Sequence, residues 1–102
     1  MLENSIYSIL SPEGFASILW KDPSKVKEAC DVMKITSKDL LEFNIIDGII
    51  KEVDGGAQNN KEQVAFNIKN TIINKLNSLE KISKEEILNQ RYEKFRNIGK
   101  FY

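Results

Sequence analysis

The first apolar run of the chain leads directly into a helix start. Ile6–Leu10 is an extended, apolar-leaning run, and Pro12 ends any ladder of strand hydrogen bonds because it has no backbone N–H. We therefore predict a strand that stops at about Ser11. Ser11 can cap the following helix with its hydroxyl, Pro12 suits the first helical position, and Glu13 places a carboxylate at the positive end of the helix dipole. The pattern predicts a strand, a tight turn and a helix within a few residues.

A second helix is predicted to start at Asp22 and Pro23, which suit a cap and a first helical position. The apolar residues that follow recur at helical spacing: Val26, Ala29, Cys30 and Met33. Because Cys30 lies within this stripe, we interpret it as a small core residue rather than a nucleophile.

A third, short helix is predicted over 37–43. Thr36 with Asp39 three residues later is typical of an N-cap, and Asn44 can adopt the left-handed conformation that ends a helix. The β-branched run Ile45–Ile50 then suits either a short strand or an extended connector, since Gly48 weakens the strand pattern.

Two longer helices are predicted in the second half, after a loop rich in glycine and asparagine at 54–60. Asn60 caps the first of them, whose apolar positions recur every three or four residues: Val64, Ala65, Ile68, Ile72, Leu76 and Leu79. Ser83 starts the last helix and Gly99 closes it, with an apolar side made of Ile87, Leu88, Tyr92, Phe95 and Ile98. Arg91, Lys94 and Arg96 are expected in solvent or paired with nearby glutamates.

These elements define a fold class that is mainly α with one or two short strands. We divide the chain into a strand-turn-helix piece at 1–53, the loop at 54–60 and C-terminal helices at 61–102. A chain of 102 residues supports at most one core.

Composition and charge restrict the function further. A hydrophobic content of 41% with 29% charged residues is typical of a globular protein. Residues 1–60 carry six basic and ten acidic side chains, a net charge of −4, whereas residues 61–102 carry nine and five, a net charge of +4. Signs alternate along the predicted basic helices, which favours a solvated face over nucleic-acid binding. With no long apolar run and no signal-peptide pattern, we predict a cytoplasmic protein that does not bind membranes.

The residue inventory argues against independent catalysis. The chain has no histidine and one cysteine, so it lacks the usual nucleophile pairs and the usual ligands of transition metals. Glu52 and Asp54 are neighbouring carboxylates, but in a surface turn such groups stay ionised and solvated. Gly55 and Gly56 would let a ligand approach the backbone, yet the loop lacks the spacing of a phosphate loop, which favours a plain connector.

Three stretches, in order, resemble one family. They are Met1–Gly14 continuing through Ala16–Lys21, Asp47–Glu52 leading into Gly55–Ala57, and Gln90–Phe95. Together they resemble the carboxyltransferase alpha subunit of bacterial acetyl-CoA carboxylase. The resemblance covers essentially the whole chain but only the C-terminal part of that longer subunit, so the chain looks like a fragment or a truncated product.

The resemblance implies an α/β crotonase-like fold, of which this chain is the C-terminal piece. It also implies transfer of a carboxyl group from carboxybiotin, carried on a separate carrier protein, to acetyl-CoA, giving malonyl-CoA for fatty acid biosynthesis within an ATP-dependent complex. The implied partners are the carboxyltransferase beta subunit and the biotin carboxyl carrier protein, and no cofactor is bound covalently by this chain. Because the family's glycine-rich oxyanion loop precedes the stretch corresponding to Met1, the chain alone is expected to be inactive.

By the same resemblance, the turn Ser11, Pro12, Glu13 and Gly14 lies on the carboxybiotin side of the site and has a lining or positioning role. The alternative is that these residues only build a tight strand-to-helix joint. We assign no catalytic residue and no metal ligand. Phe15 and Gln58 depart from the family, which often has a small residue or cysteine at the first position and usually has histidine at the second.

A different class of function remains open, a noncatalytic helical interaction module built on the long helix and the last helix. A module should be monodisperse alone, whereas a fragment should leave its apolar stripes incompletely covered and self-associate.

Overall fold

The computed structural model describes residues 1–100, and they are mainly helical. Five α-helices follow in order: α1 Pro12–Trp20, α2 Val26–Met33, α3 Ser37–Glu42, α4 Lys61–Leu79 and α5 Lys84–Asn97. A short 3₁₀ helix, Ala57–Asn59, precedes α4. The mainly helical class predicted from the sequence is confirmed. The last two residues of the predicted unit 61–102 lie outside the described residues.

Side-chain caps hold the starts of four of these helices, at the residues that the sequence indicates. The side-chain oxygens of Ser11, Thr36, Asn60 and Ser83 each accept a hydrogen bond from the backbone N–H three residues later. Thr36 and Asp39 form a reciprocal capping box. Such caps contribute about 1 kcal/mol each, so α1, α3, α4 and α5 begin where local chemistry favours them.

The predicted start of α2 is wrong by three residues. The Asp22 carboxylate accepts hydrogen bonds from the Ser24 backbone N–H at 3.0 Å and from the Ser24 hydroxyl at 2.6 Å. This local turn competes with helix formation, because the carboxylate satisfies the donors that a cap would otherwise orient along the helix. The helix therefore begins at Val26, after Lys25, which makes no side-chain cap.

The predicted core position of Cys30 is also wrong, because its side chain is exposed. Helices α1 and α2 pack together, and each contributes a fully buried alanine, Ala16 and Ala29. Small residues let two helices approach closely, and the close approach leaves the neighbouring face of α2, with Cys30, in solvent.

The predicted strand at Ile6–Leu10 is reduced to one isolated antiparallel bridge between Ile6 and Thr36. The Tyr7 backbone N–H donates to the Ile35 carbonyl oxygen at 3.1 Å, but Ile9 beyond it is 99% exposed. Strands need neighbours to persist, and the described part of the chain offers this segment only one paired position. The run Ile45–Ile50 takes the alternative form of a connector, with one parallel bridge from Ile50 to Leu2.

The core is small and the molecule is open. The buried apolar residues of the described chain are Ala16, Ala29, Leu40, Ile46 and Val64. The accessible surface is 8235 Å², about 2,300 Å² more than a compact monomer of this mass exposes. The Cα radius of gyration is 17.4 Å, compared with about 13 Å for a compact chain of this length. The prediction of incompletely covered stripes is confirmed, as Ile72, Leu76, Leu88, Tyr92 and Phe95 are each more than half exposed.

Within residues 1–100, no helix combines the length and the apolar character needed to cross a membrane.

Candidate functional site

The turn from Ser11 to Gly14 is the start of α1. Ser11 is extended, with φ −73° and ψ 159°, and Pro12 occupies the first helical turn. The Ser11 hydroxyl oxygen accepts the Gly14 N–H at 3.2 Å, and the Ser11 carbonyl oxygen accepts the Phe15 N–H at 2.9 Å. The turn is therefore a rigid joint whose geometry is fixed by its own residues.

Glu13 is an exposed anion in this turn. Its own backbone N–H and the Ser11 hydroxyl hydrogen-bond its carboxylate and hold the pKa of Glu13 below its usual value. At neutral pH the group is ionised, so it is suited to accept hydrogen bonds and unsuited to donate a proton.

Two backbone donors of the first turn are engaged by Ser11. The Gly14 N–H donates to the Ser11 hydroxyl oxygen and the Phe15 N–H to the Ser11 carbonyl oxygen, while Pro12 has no N–H. An oxyanion hole needs donors that point at the developing charge. The Gly14 and Phe15 donors are engaged within the turn, so the chemistry of this part of the turn is that of a shaped, capped surface.

Gly14 is the residue of the turn that internal packing does not explain. A Cβ built at Gly14 would lie 3.5 Å from Leu10 Cδ1 and 3.6 Å from Ser11 Oγ, which are ordinary van der Waals distances. Its backbone is also helical and not left-handed. The close approach that would make this glycine necessary is therefore absent among the described residues.

Apolar surface surrounds the turn. Ile9 before it is 99% exposed, and Ile18 and Leu19 after it are 71% and 59% exposed. Phe15 packs edge-to-face on Trp20, with ring centroids 5.9 Å apart. A binding site at this turn would thus have one polar, capped wall and apolar flanks.

The glycine-rich loop is closed by its own hydrogen bonds. The Gln58 side-chain amide donates to the Gly55 carbonyl oxygen at 2.7 Å, and the Asn59 amide donates to the Asp54 carbonyl oxygen at 3.0 Å. The Glu52 carboxylate accepts the Ala57 N–H at 3.1 Å and the Asn4 N–H at 2.6 Å. Glu52 therefore ties the loop to the N-terminal segment, an arrangement that favours the connector interpretation over acid–base catalysis.

The structure does not bring this loop and the Ser11–Gly14 turn into one hydrogen-bonded site. Among the described residues, no hydrogen bond or ion pair links the two segments. Nor does that part of the chain contain a cluster of three or more potential metal-ligating side chains.

Sequence reasoning missed an open groove of about 850 Å³ between the 45–50 connector, α4 and α5. The Lys94 ammonium bonds both carboxylate oxygens of Asp47 at 2.7 Å across this groove. The sequence predicted that Lys94 would lie in solvent or pair with a nearby glutamate. Its partner is instead Asp47, 47 residues earlier in the chain. The ion pair lowers the pKa of Asp47, chiefly through the hydrogen bond from Lys94. No local sequence signal could have found a pair so distant in sequence.

Comparison with known proteins gives a consistent result over the whole described chain. Residues 1–99 match the family model described as acetyl co-enzyme A carboxylase carboxyltransferase-like. The chain is 59% identical over 102 residues to the acetyl-coenzyme A carboxylase carboxyl transferase subunit alpha of Clostridium beijerinckii, covering 100% of this chain and 38% of the relative. It is 56% identical to the corresponding Clostridium acetobutylicum subunit, covering 99% and 37%, and 52% identical to that of Fusobacterium nucleatum, covering 99% and 32%. The chain thus spans less than two fifths of the length of these curated relatives.

Proposed function

This chain belongs to the acetyl co-enzyme A carboxylase carboxyltransferase-like family, and we propose that it is part of a carboxyltransferase working in the cytoplasm. The proposed reaction moves a carboxyl group from carboxybiotin to acetyl-CoA and gives malonyl-CoA for fatty acid biosynthesis. The observation that carries the proposal is the match of residues 1–99 to the family, at 52–59% identity to relatives named as this subunit.

The chain supplies one part of this activity. It corresponds to less than two fifths of its relatives, and the remaining part of an alpha subunit, folded as a crotonase-like α/β domain, would complete it. A beta subunit and a biotin carboxyl carrier protein are the further partners in the proposal. The surplus of about 2,300 Å² of surface supports it, because a piece of a larger assembly leaves its inner faces bare.

The proposed role of Ser11–Gly14 is to line the carboxybiotin side of the site. Carboxybiotin supplies the carboxyl group, and negative charge develops on the biotin ureido oxygen and on the thioester oxygen as that group is transferred. Backbone N–H groups stabilise such charge without titratable side chains. Since the Gly14 and Phe15 N–H groups are engaged by Ser11, stabilisation of the oxyanion is assigned to other segments in this proposal, and this turn contributes shape and position.

Gly14 supports a lining role in preference to the purely structural joint. A joint explains Ser11 and Pro12 as cap and first helical residue, but it does not explain a glycine where a methyl group would fit. Where the native backbone conformation suits alanine, as it does here, alanine in place of glycine stabilises a protein by about 0.4–1 kcal/mol. A ligand group that approaches the backbone of the turn closely would explain why a glycine, rather than an alanine, stands here.

The proposal is tested by reconstitution. The chain would be mixed with the preceding part of the Clostridium beijerinckii alpha subunit, a beta subunit and a biotinylated carrier, and malonyl-CoA would be measured. Activity is expected only when all components are present. A mixture that stays inactive, while the intact C. beijerinckii subunit is active in the same assay, would contradict the proposal.

A noncatalytic helical interaction module is the second candidate, and the bare stripes of α4 and α5 favour it to the extent that they need a partner. The two candidates differ in solution. A carboxyltransferase piece binds a hydrophobic dye when isolated and loses that binding when the preceding segment is added, whereas an independent module is unaffected by that segment.

A further inference from the structure

The N-terminal segment of the chain runs parallel to the connector that follows α3. The Ile50 N–H donates to the Met1 carbonyl oxygen at 2.8 Å, and the Glu3 N–H donates to the Ile50 carbonyl oxygen at 2.9 Å. The Met1 nitrogen donates to the Gly48 carbonyl oxygen at 3.0 Å. These bonds follow the pattern of a parallel ladder, in which every second residue of one strand bonds the neighbouring strand. Leu2 and Ile50 therefore form one complete rung, and the bond at Gly48 is half of the next rung.

The other half of that rung is the Gly48 N–H. Among residues 1–100, no hydrogen bond engages this donor. In a parallel ladder it would donate to the carbonyl oxygen of the residue two positions before Met1, because the Ile50 N–H donates to the residue one position before Leu2. The register of the observed bonds thus specifies which backbone groups of a preceding segment the connector can bind.

The connector is open at this point and is held in place by the rest of the chain. Met1 and Gly48 both line the groove of about 850 Å³ between the connector, α4 and α5. The ion pair between Asp47 and Lys94, at 2.7 Å, fixes the connector against α5. The Ile46 N–H donates to a carbonyl oxygen of α3 at 3.3 Å and fixes its other end. The edge that carries the Gly48 N–H is therefore positioned before any further strand binds to it.

The topology also suits a parallel pair. Helices α1 to α3 lie between Leu2 and Ile50, and parallel strands require a long crossover of this kind. We propose that the segment preceding Met1 in an alpha subunit is a β-strand that continues the ladder along the connector, with the residue just before Met1 opposite Gly48. This proposal rests on the proposed function, which supplies the remaining part of an alpha subunit. The contact at Gly48 is made by backbone groups alone, which an alanine there would retain.

The first test measures hydrogen exchange of the Gly48 amide by NMR. The chain, labelled with ¹⁵N, would be studied alone and mixed with the preceding part of the Clostridium beijerinckii alpha subunit. Pairing should slow exchange at Gly48 by about tenfold or more. The Gly55 amide is the matched control, since it is exposed and has no hydrogen-bond partner in the described chain, and its rate should not change. Failure of the two parts to associate, an unchanged rate at Gly48, or equal slowing at both glycines would overturn the proposal.

The second test measures the register in one polypeptide that joins the preceding part of the C. beijerinckii subunit to Met1. Cys30→Ala and replacement of any upstream cysteine remove the other thiols. Gly48→Cys and a cysteine just before Met1 would lie on the same face of adjacent strands, about 5 Å apart and within reach of a disulfide. A cysteine one residue earlier points to the opposite face and is the control. The first pair should oxidise at least about tenfold faster, and equal rates or the reverse order would contradict the register.

These measurements separate the strand pairing from the proposed function. A mixture in which Gly48 becomes protected but no malonyl-CoA forms would contradict the carboxyl-transfer role and support the pairing. A mixture that makes malonyl-CoA while exchange at Gly48 stays unchanged would support the carboxyl-transfer role and overturn the pairing.

Discussion

The substitution Gly14→Ala separates a ligand-lining turn from a simple strand-to-helix joint. The added methyl group meets Leu10 and Ser11 at 3.5 and 3.6 Å, so the folded chain accepts it without displacement. Alanine loses less backbone entropy than glycine on entering a helix, and we expect the variant to be more stable by about 0.5–1 kcal/mol. The same methyl group would occupy the surface that the proposed function gives to the carboxybiotin side. We therefore expect higher stability together with lower carboxyl transfer.

The two effects are measured separately. Urea unfolding followed by circular dichroism gives the change in stability, and the malonyl-CoA assay on the reconstituted mixture gives kcat/KM with respect to the carboxylated carrier. A steric clash worth about 1.4–2.7 kcal/mol in the transition state lowers kcat/KM by about 10- to 100-fold. The KM for acetyl-CoA should change less than the KM for the carrier, since the turn is assigned to the biotin side.

Gly48→Ala is the matched control for this substitution. Gly48 also has room for a Cβ, with no atom within 4 Å, and its φ is not positive. It lies outside the proposed lining turn, so Gly48→Ala should leave kcat/KM unchanged. If Gly14→Ala stabilises the chain and carboxyl transfer stays at the wild-type rate, the lining role is refuted and the joint interpretation stands.

Three further predictions concern the fold. Gly56→Ala should destabilise the chain by about 1–3 kcal/mol, measured by urea unfolding. The reason is that Gly56 has φ 103° and that a Cβ there would approach the Gln58 side chain to 2.8 Å. A variant as stable as Gly48→Ala would contradict this. Ala29→Leu should lower the free energy of unfolding by about 1–3 kcal/mol, because the larger side chain separates α1 from α2. Cys30→Ala changes the exposed neighbouring position and should alter the free energy of unfolding by no more than about 0.5 kcal/mol. The Thr36 hydroxyl and, to a smaller extent, the Thr36 backbone N–H bond the Asp39 carboxylate and lower the pKa of Asp39. The stability this provides is present above the unfolded pKa of about 4 and is lost as pH falls through the lower folded pKa; an Asp39→Asn variant with an unchanged pH profile of unfolding would refute it.

Elements fixed by a few adjacent residues could be predicted from the sequence. The caps at Ser11, Thr36, Asn60 and Ser83 are in place, and Asn44 is left-handed with φ 56°. In each case the donor and the acceptor are within three residues, or the conformation belongs to one residue. These features can be predicted without a tertiary structure because the interactions that stabilise them are between residues close in sequence.

Elements that depend on a second surface could not be predicted in the same way. Ile6–Leu10 has the residues of a strand, but a strand forms by pairing, and only Ile6 finds a partner in the described chain. Cys30 belongs to an apolar stripe, but burial of each residue in a stripe depends on where the neighbouring element packs. Helix α1 packs on α2 at Ala29, which is buried, and Cys30 stays exposed. The Asp47–Lys94 pair likewise depends on the path of the chain over 47 residues.

The same distinction explains what is known of the candidate site. Ser11 and Pro12 are accounted for by helix start chemistry, so their presence says nothing about a ligand. Glu13 is accounted for by its bonds to its own N–H and to Ser11. Gly14 is the one residue of the turn for which the chain itself gives no reason, and Ile9, five residues earlier in the sequence, is 99% exposed. Gly14 is a residue that local chemistry disfavours, and apolar residues near it in the sequence are uncovered in the described chain. We therefore expect a ligand or partner, rather than the fold of this chain, to be the reason for the glycine.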